Sequence, residues 1–173
     1  MQWSELLDSY LEGTPVEPAD SSRLTVLNIS FPAELLTQTL FPMLNAGRML
    51  SASVLSSVPA PIAVHGHAMG LQLLYSDAQQ SLNLALELLR CRHGFPFCIA
   101  LDISTGWTVD LEWRGMARYR AERLATFGGH CELLLTEELK SVLSLPDGVG
   151  IFAAPAKRSQ FVGMPFWVVK DYR

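Results

Sequence analysis

The chain has 173 residues, of which 49% are hydrophobic and 17% are charged, and its formal net charge is −4. This length suits one domain with a single core, and the acidic balance argues against broad nucleic-acid binding. No stretch approaches the roughly 20 apolar residues that cross a bilayer, and the N-terminus lacks the basic start of a signal peptide, so we expect a cytoplasmic protein without a membrane segment.

The apolar excess bears on whether the protein has a partner, and the cysteines bear on whether it has disulfides. An apolar surface without a membrane segment indicates that a partner covers part of the protein, and a second copy of the chain is the simplest such partner. Cys91, Cys98 and Cys131 are odd in number and scattered, which favours reduced thiols over a disulfide framework. His65 and His67 would share one side of a strand, but no spacing matches a zinc motif, so no metal or cofactor is predicted.

The first 23 residues are expected to lie outside the main domain. Apolar residues recur there at helical spacing and predict a short amphipathic helix over residues 3–12. Gly13 and Pro15 end this helix, and an exposed linker follows. A helix this short must dock, either on its own domain or on a second chain, and the sequence leaves both open.

The first half of the domain, which we take as residues 24–173, begins with an alternating strand over 24–31. Pro32 suits the first turn of a helix that Pro42 should break or kink. Two short strands joined near residues 68–70 come next, and residues 77–92 give the clearest helix. The wide apolar arc of that helix indicates deep burial or an interface on one flank.

The second half continues with a strand over 95–103, a turn at Thr105–Gly106 and a strand over 107–113. A helix over 115–127 follows and ends at Gly128–Gly129. A short strand over 131–135, a helix capped by Thr136 and two last strands near 150–154 and 165–169 complete the order β-α-ββ-α-ββ-α-β. This order predicts an α+β, ferredoxin-like antiparallel sheet with helices on one face and a short C-terminal β appendage.

From Leu24 to the C-terminus the chain resembles the class III adenylate/guanylate cyclase catalytic domain. TVLNISF stands where that family has its first metal-binding strand, HAMGLQLLY where it has a Gly-Asp-Gly hairpin, and ISTG where it has Ile-His-Thr-Gly. GMARYRAERLATFGGHCELLLTEEL resembles the family's central helix and following strand, and FVGMPFWVV resembles its final strand. The resemblance implies a nucleotide-cyclase type of fold.

The resemblance also implies that the family's metal site is lost. Ring closure of a nucleoside triphosphate needs two divalent ions, which two aspartates normally hold through hard anionic oxygens. In this chain the first aspartate position is Ser30 and the second is Met69. A hydroxyl and a thioether cannot replace two carboxylates, so the chain is expected not to be an enzyme.

The other positions implied by the resemblance are mostly replaced. Tyr119 stands at the ribose-positioning asparagine, and Val162 at a phosphate-contacting lysine. His65 and Glu112 stand at the base-reading lysine and acid. Arg123 alone keeps its family identity, at the transition-state arginine, and an arginine supplies charge stabilisation without activating a nucleophile.

Three functions follow from these replacements. The first is a non-catalytic, homodimeric regulatory or interaction module with a protein partner in signalling. The second is a sensor that binds a nucleotide or other phosphorylated ligand in the remnant cleft, through the candidate residues Arg123, Arg120, Glu112, His65 and Tyr119. The third is one subunit of a heterodimeric nucleotide cyclase whose partner supplies the aspartates. This chain would then have to supply the asparagine, which it lacks.

Overall fold

An eight-stranded, mostly antiparallel sheet forms the centre of the part of the chain that the structure, a computed structural model, describes: residues 21–30, 61–67, 70–90, 97–129 and 131–172. The predicted helices over 3–12 and from Pro32 lie outside these residues, as do Met69 and Cys91. The strands are β1 (Ser21–Ser30), β2 (Ala63–His67), β3 (Gly70–Tyr75), β4 (Cys98–Val109), β5 (Glu112–Gly115), β6 (Leu133–Thr136), β7 (Val149–Ala153) and β8 (Phe166–Asp171). The helices are α1 (Ala78–Arg90), α2 (Met116–Thr126), α3 (Glu137–Lys140) and α4 (Ala156–Val162).

The strands lie in the order β2-β3-β1-β4-β6-β8-β7, and β5 pairs with β4 outside this path. Only the β4–β6 pair is parallel; the other pairs in the described residues are antiparallel. β1 lies between β3 and β4, with Asn28 opposite Gln72 of β3 and Ala100 of β4. The α+β class and the antiparallel sheet are therefore confirmed.

Alternation along the strands sends apolar side chains to both faces of the sheet. Leu27 and Ile29 of β1 pack in the cluster that contains the leucines of α1. Leu24 and Val26 pack in a second cluster with α2, whose alanines allow close approach to the sheet. The helices consequently cover both faces rather than the one face that was predicted, because successive side chains of a buried strand point in opposite directions.

The turn after β4 differs from its predicted place. β4 continues through Thr105–Gly106 and ends in a two-residue turn at Asp110–Leu111, where φ is +51° and +64°. A Cβ at Gly106 would lie 2.6 Å from the ring of Trp113 and 2.5 Å from the backbone oxygen of Arg114. Glycine therefore serves close packing of the two strands at this position, not a turn.

The structure also contains a helix that the sequence analysis does not predict. α4 begins after Pro155 and ends at Gly163, which has φ +84° and caps the helix by donating its N–H to the oxygen of Ser159. A left-handed cap of this kind favours glycine because other residues carry a Cβ penalty there. The helix lies on the same sheet face as α2, since Val162 packs in the α2 cluster.

Candidate functional site

The end of β1 carries a neutral polar pair. Asn28 and Ser30 are buried on the face that α2 covers, and the Asn28 amide nitrogen donates to the Ser30 hydroxyl over 2.9 Å. The Asn28 Oδ1 atom is buried without a hydrogen-bond partner. Neither residue supplies an anionic oxygen, so this strand end does not fit a divalent cation such as Mg²⁺. In the described ranges no group of three or more His, Cys, Asp or Glu side chains is placed to hold a metal ion.

Three of the predicted site residues meet at one end of α2. The His65 Nδ1 atom lies 4.0 Å from a Glu112 carboxylate oxygen, and Tyr119 lines the same shallow pocket of about 300 Å³ as Glu112. Arg118 sits at the centre: it contacts Glu112 over 2.5 Å and donates from Nε to Gln72 over 2.9 Å. We call these five residues the Glu112 cluster.

The electrostatics of the Glu112 cluster keep its acid charged. The hydrogen bond and the positive charge of Arg118 lower the pKa of Glu112, and Arg114 adds to this at a longer distance. The pocket therefore combines a carboxylate acceptor, guanidinium donors and the exposed ring of Tyr119. Such a set can hydrogen-bond a planar polar group and stack against it.

Arg120, another predicted site residue, is directed into the protein. Its guanidinium donates to the Asp102 carboxylate over 2.6 and 3.2 Å and reaches Glu138 over 2.5 Å. Asp102 is 0% exposed and also accepts hydrogen bonds from Thr136 and from the backbone N–H of Ile103. Burial raises the pKa of Asp102, while the hydrogen bonds from Arg120 and Thr136 oppose that rise. Arg120 therefore anchors α2 to β4 and α3.

Arg123 follows Tyr119 by one turn on the same face of α2, and the partners that the structure gives it, Val162 and Phe127, lie outside the Glu112 cluster. It is exposed, donates from Nε to the backbone oxygen of Val162 over 2.5 Å, and has its guanidinium carbon 5.4 Å from the ring centre of Phe127. No carboxylate among the described residues pairs with it, in contrast to the pairing of Arg118 and Arg120. Its outer nitrogens are thus available to an anion.

The residues that position these arginines are not among the predicted site residues. Gln72 and Asp102 lie in strands 46 and 18 residues from their arginine partners, so no local spacing reveals them. The one available signal is an aspartate inside the apolar run CIALDI, since a buried carboxylate requires a partner. That partner could have been sought among the arginines of the following helix.

Comparison with solved structures places this arrangement in a known fold. The guanylate cyclase domain of RhGC from Catenaria anguillulae, in complex with GTP, is 12% identical with a TM-score of 0.67, over 90% of this chain and 100% of that one. An adenylate/guanylate cyclase/hydrolase from Silicibacter pomeroyi is 15% identical with a TM-score of 0.60, over 87% and 96%. An adenylate cyclase structure from Trypanosoma brucei in its monomeric state is 12% identical with a TM-score of 0.63, over 91% of both chains.

These similarities show that the chain has the fold of class III nucleotide cyclase catalytic domains. No protein-family model and no curated protein matches it. The prediction that the chain is not an enzyme is wrong, because the structures that share its fold are predominantly catalytic cyclase domains. None of the helices in the described ranges has the length and apolarity to span a bilayer.

Proposed function

We propose that this chain is one subunit of a nucleotide cyclase whose active site is completed by a second, different subunit. In this arrangement the chain binds the phosphates of the nucleoside triphosphate through Arg123. The second subunit supplies the carboxylates that hold the divalent ions. Ions held by those carboxylates would supply activation of the attacking hydroxyl and charge neutralisation of the leaving pyrophosphate.

The state of Arg123 is the observation that carries the proposal. Arg118 and Arg120 on the same helix are neutralised by carboxylates, whereas Arg123 contacts a backbone oxygen and an aromatic ring. Among the described residues no carboxylate competes with a ligand for this exposed guanidinium. Charge-assisted hydrogen bonds from it would stabilise phosphate oxygens as negative charge develops on them.

The neutral pair at the end of β1 supports an active site that is shared between two different chains. Asn28 and Ser30 already hydrogen-bond to each other and offer no negative charge. A homodimer would lack carboxylates at position 30 in both copies, so the proposed partner is a chain that carries them. The predicted homodimer remains a prediction, and the mass of the purified chain measured by light scattering tests it.

A mixing experiment tests the proposal with two versions of this chain. One version carries Ser30→Asp, Met69→Asp and Arg123→Ala, so it supplies carboxylates without the arginine. The other is the unmodified chain, which supplies Arg123 without carboxylates. We expect cyclic nucleotide from ATP or GTP with Mn²⁺ only when both are mixed, because each lacks what the other has.

In the control for this experiment, the chain that supplied Arg123 carries Arg123→Ala as well, so that neither chain has the arginine. Removing a donor that stabilises transition-state charge costs on the order of 10²–10³ in rate, so activity should fall to background. A mixture that is inactive, together with an unmodified chain that binds neither nucleotide, refutes the proposal. Nucleotide binding by Arg123 without turnover in any mixture would instead favour the sensor function.

Tyr119 offers a second test because it stands where the resemblance implies an asparagine. Its exposed side chain lies on the same face of α2 as Arg123, so Tyr119→Asn requires no core rearrangement. We expect Tyr119→Asn, introduced into the chain that supplies Arg123, to raise turnover in the mixture. An unchanged rate would show that the tyrosine does not limit the reaction.

A further inference from the structure

We propose that α4 and the end of α2 carry positioning residues for Arg123, namely Val162 through its backbone oxygen and the ring pair Phe127 and Phe161. The inference rests on the proposed function only for the identity of the anion, a phosphate group. The arrangement itself is a property of this chain's own residues. It fixes which edge of the guanidinium faces outward.

The first part of the arrangement is a helix carbonyl. The last carbonyls of a helix have no partner within the helix, and Val162 is the last residue of α4. Its side chain is buried in the α2 cluster, which holds the backbone in place. The left-handed cap at Gly163 turns the chain away, and the Val162 oxygen accepts the Arg123 Nε–H over 2.5 Å.

The second part is a pair of aromatic rings. Phe127 lies under the Arg123 guanidinium at 5.4 Å, and Phe161 meets Phe127 edge-on with ring centres 5.1 Å apart. Phe161 is 70% exposed, so packing of the core does not explain its place. Its contact with Phe127 instead supports the ring on which the cation rests.

The third part is the anchor of α4. Arg158 donates to both carboxylate oxygens of Glu132, over 2.9 Å for its Nη1 contact, and Glu132 also accepts the backbone N–H of Gly129. Residues 129 and 132 follow α2, so this clamp ties the start of α4 to the segment after α2. The carbonyl of Val162 and the ring of Phe127 are therefore held relative to each other.

The consequence concerns how Arg123 binds. Because the Arg123 Nε–H donates to the Val162 oxygen, the two terminal nitrogens of the guanidinium remain to donate side by side to a ligand. A guanidinium already fixed in one orientation loses less freedom when it binds, which favours affinity for a group with two acceptor oxygens. Phosphate oxygens match these two donors.

Nuclear magnetic resonance of the full, ¹⁵N-labelled chain tests the positioning directly. The Arg123 Nε–H signal, assigned by its loss in Arg123→Lys, should be sharp and protected from exchange with water. In Phe161→Ala it should broaden or exchange faster, and in Phe161→Tyr it should stay protected because the ring remains. Phe152→Ala is the matched control, since Phe152 is also exposed and lies beside a cation, Lys170.

Titration with ATP and with inorganic triphosphate gives the second readout. Phe161→Ala should weaken binding of both by roughly three- to tenfold, Phe161→Tyr should restore it, and Phe152→Ala should not change it. An Arg123 signal equally protected in Phe161→Ala and the unmodified chain overturns the positioning role of Phe161. If the signal behaves as expected but Arg123→Ala binds ATP normally, the positioning stands and the proposed function fails.

Discussion

Arg120→Met tests the buried ion pair that anchors α2. The change keeps a long, flexible apolar stem and removes the guanidinium, so Asp102 loses its contacts at 2.6 and 3.2 Å. Asp102 is 0% exposed and would keep only the donors of Thr136 and Ile103. Breaking a buried pair by removing one partner typically costs about 3–5 kcal/mol, because the remaining charge stays desolvated.

Protonation limits the part of this cost that comes from the Asp102 charge. The carboxyl can escape its penalty by taking up a proton, and from the ordinary aspartate pKa of 3.8 this costs about 4 kcal/mol at pH 7, at about 1.36 kcal/mol per pH unit. The Arg120 side chain is 28% exposed, so water can partly replace it and the lower part of the range applies. We expect a loss of about 3–4 kcal/mol at pH 7. At pH 5 the same limit falls to about 1.6 kcal/mol.

Urea unfolding followed by tryptophan fluorescence measures this difference at the two pH values, with the free energy of unfolding extrapolated to water. Arg120→Met combined with Asp102→Asn is the matched control, because it removes both charges and should lose less than Arg120→Met alone at pH 7. A loss below about 1 kcal/mol at pH 7 would refute the assignment of a desolvated ion pair. So would an equal loss at both pH values, since the penalty would then not depend on the Asp102 charge.

Three further predictions concern the clamp and two glycines. Arg158 lowers the pKa of Glu132. This pair should therefore stabilise the fold fully above the ordinary glutamate pKa of 4.5 and lose its effect as the pH falls through the lowered value. Glu132→Gln should make the free energy of unfolding depend less on pH in the acid range. Gly163→Ala, at φ +84°, should cost about 1–2 kcal/mol in urea unfolding; no loss would contradict the left-handed cap. Gly106→Ala should destabilise by more than about 1 kcal/mol because its Cβ would meet the backbone oxygen of Arg114 and the ring of Trp113. A neutral result would contradict this close approach of β4 and β5.

The alternation of side chains made the sheet predictable. In β1 the apolar residues repeat with the period of a strand, and the structure places that strand at Ser21–Ser30. The extension back to Ser21 was not predicted, because polar residues at a strand end are held by pairing with β4 and not by burial. The turn was misplaced for a related reason: Thr105–Gly106 has the composition of a turn, but its glycine accommodates a ring from the neighbouring strand.

The candidate site was predictable only as a set of residue types. The resemblance implied one remnant cleft for Arg123, Arg120, Glu112, His65 and Tyr119. In the structure His65 lies near Glu112, and Tyr119 lines the same pocket as Glu112. Arg120 and Arg123 have other partners. The sequence could not assign partners to the arginines, because Arg120 and Arg123 sit on one short helix and look equivalent. Their partners come from strands and helices distant in sequence.

The different partners of the three arginines decide what α2 can do. Arg118 joins a surface carboxylate to a strand, Arg120 compensates a buried charge, and Arg123 rests on a carbonyl and a ring. Moving Arg120 to a ligand would leave the buried Asp102 without its cation, and moving Arg118 would break its ion pair with Glu112. Arg123 breaks no ion pair within the described residues when it binds an anion. If the proposed function holds, the free energy of binding an anionic ligand should depend on Arg123 far more than on Arg120.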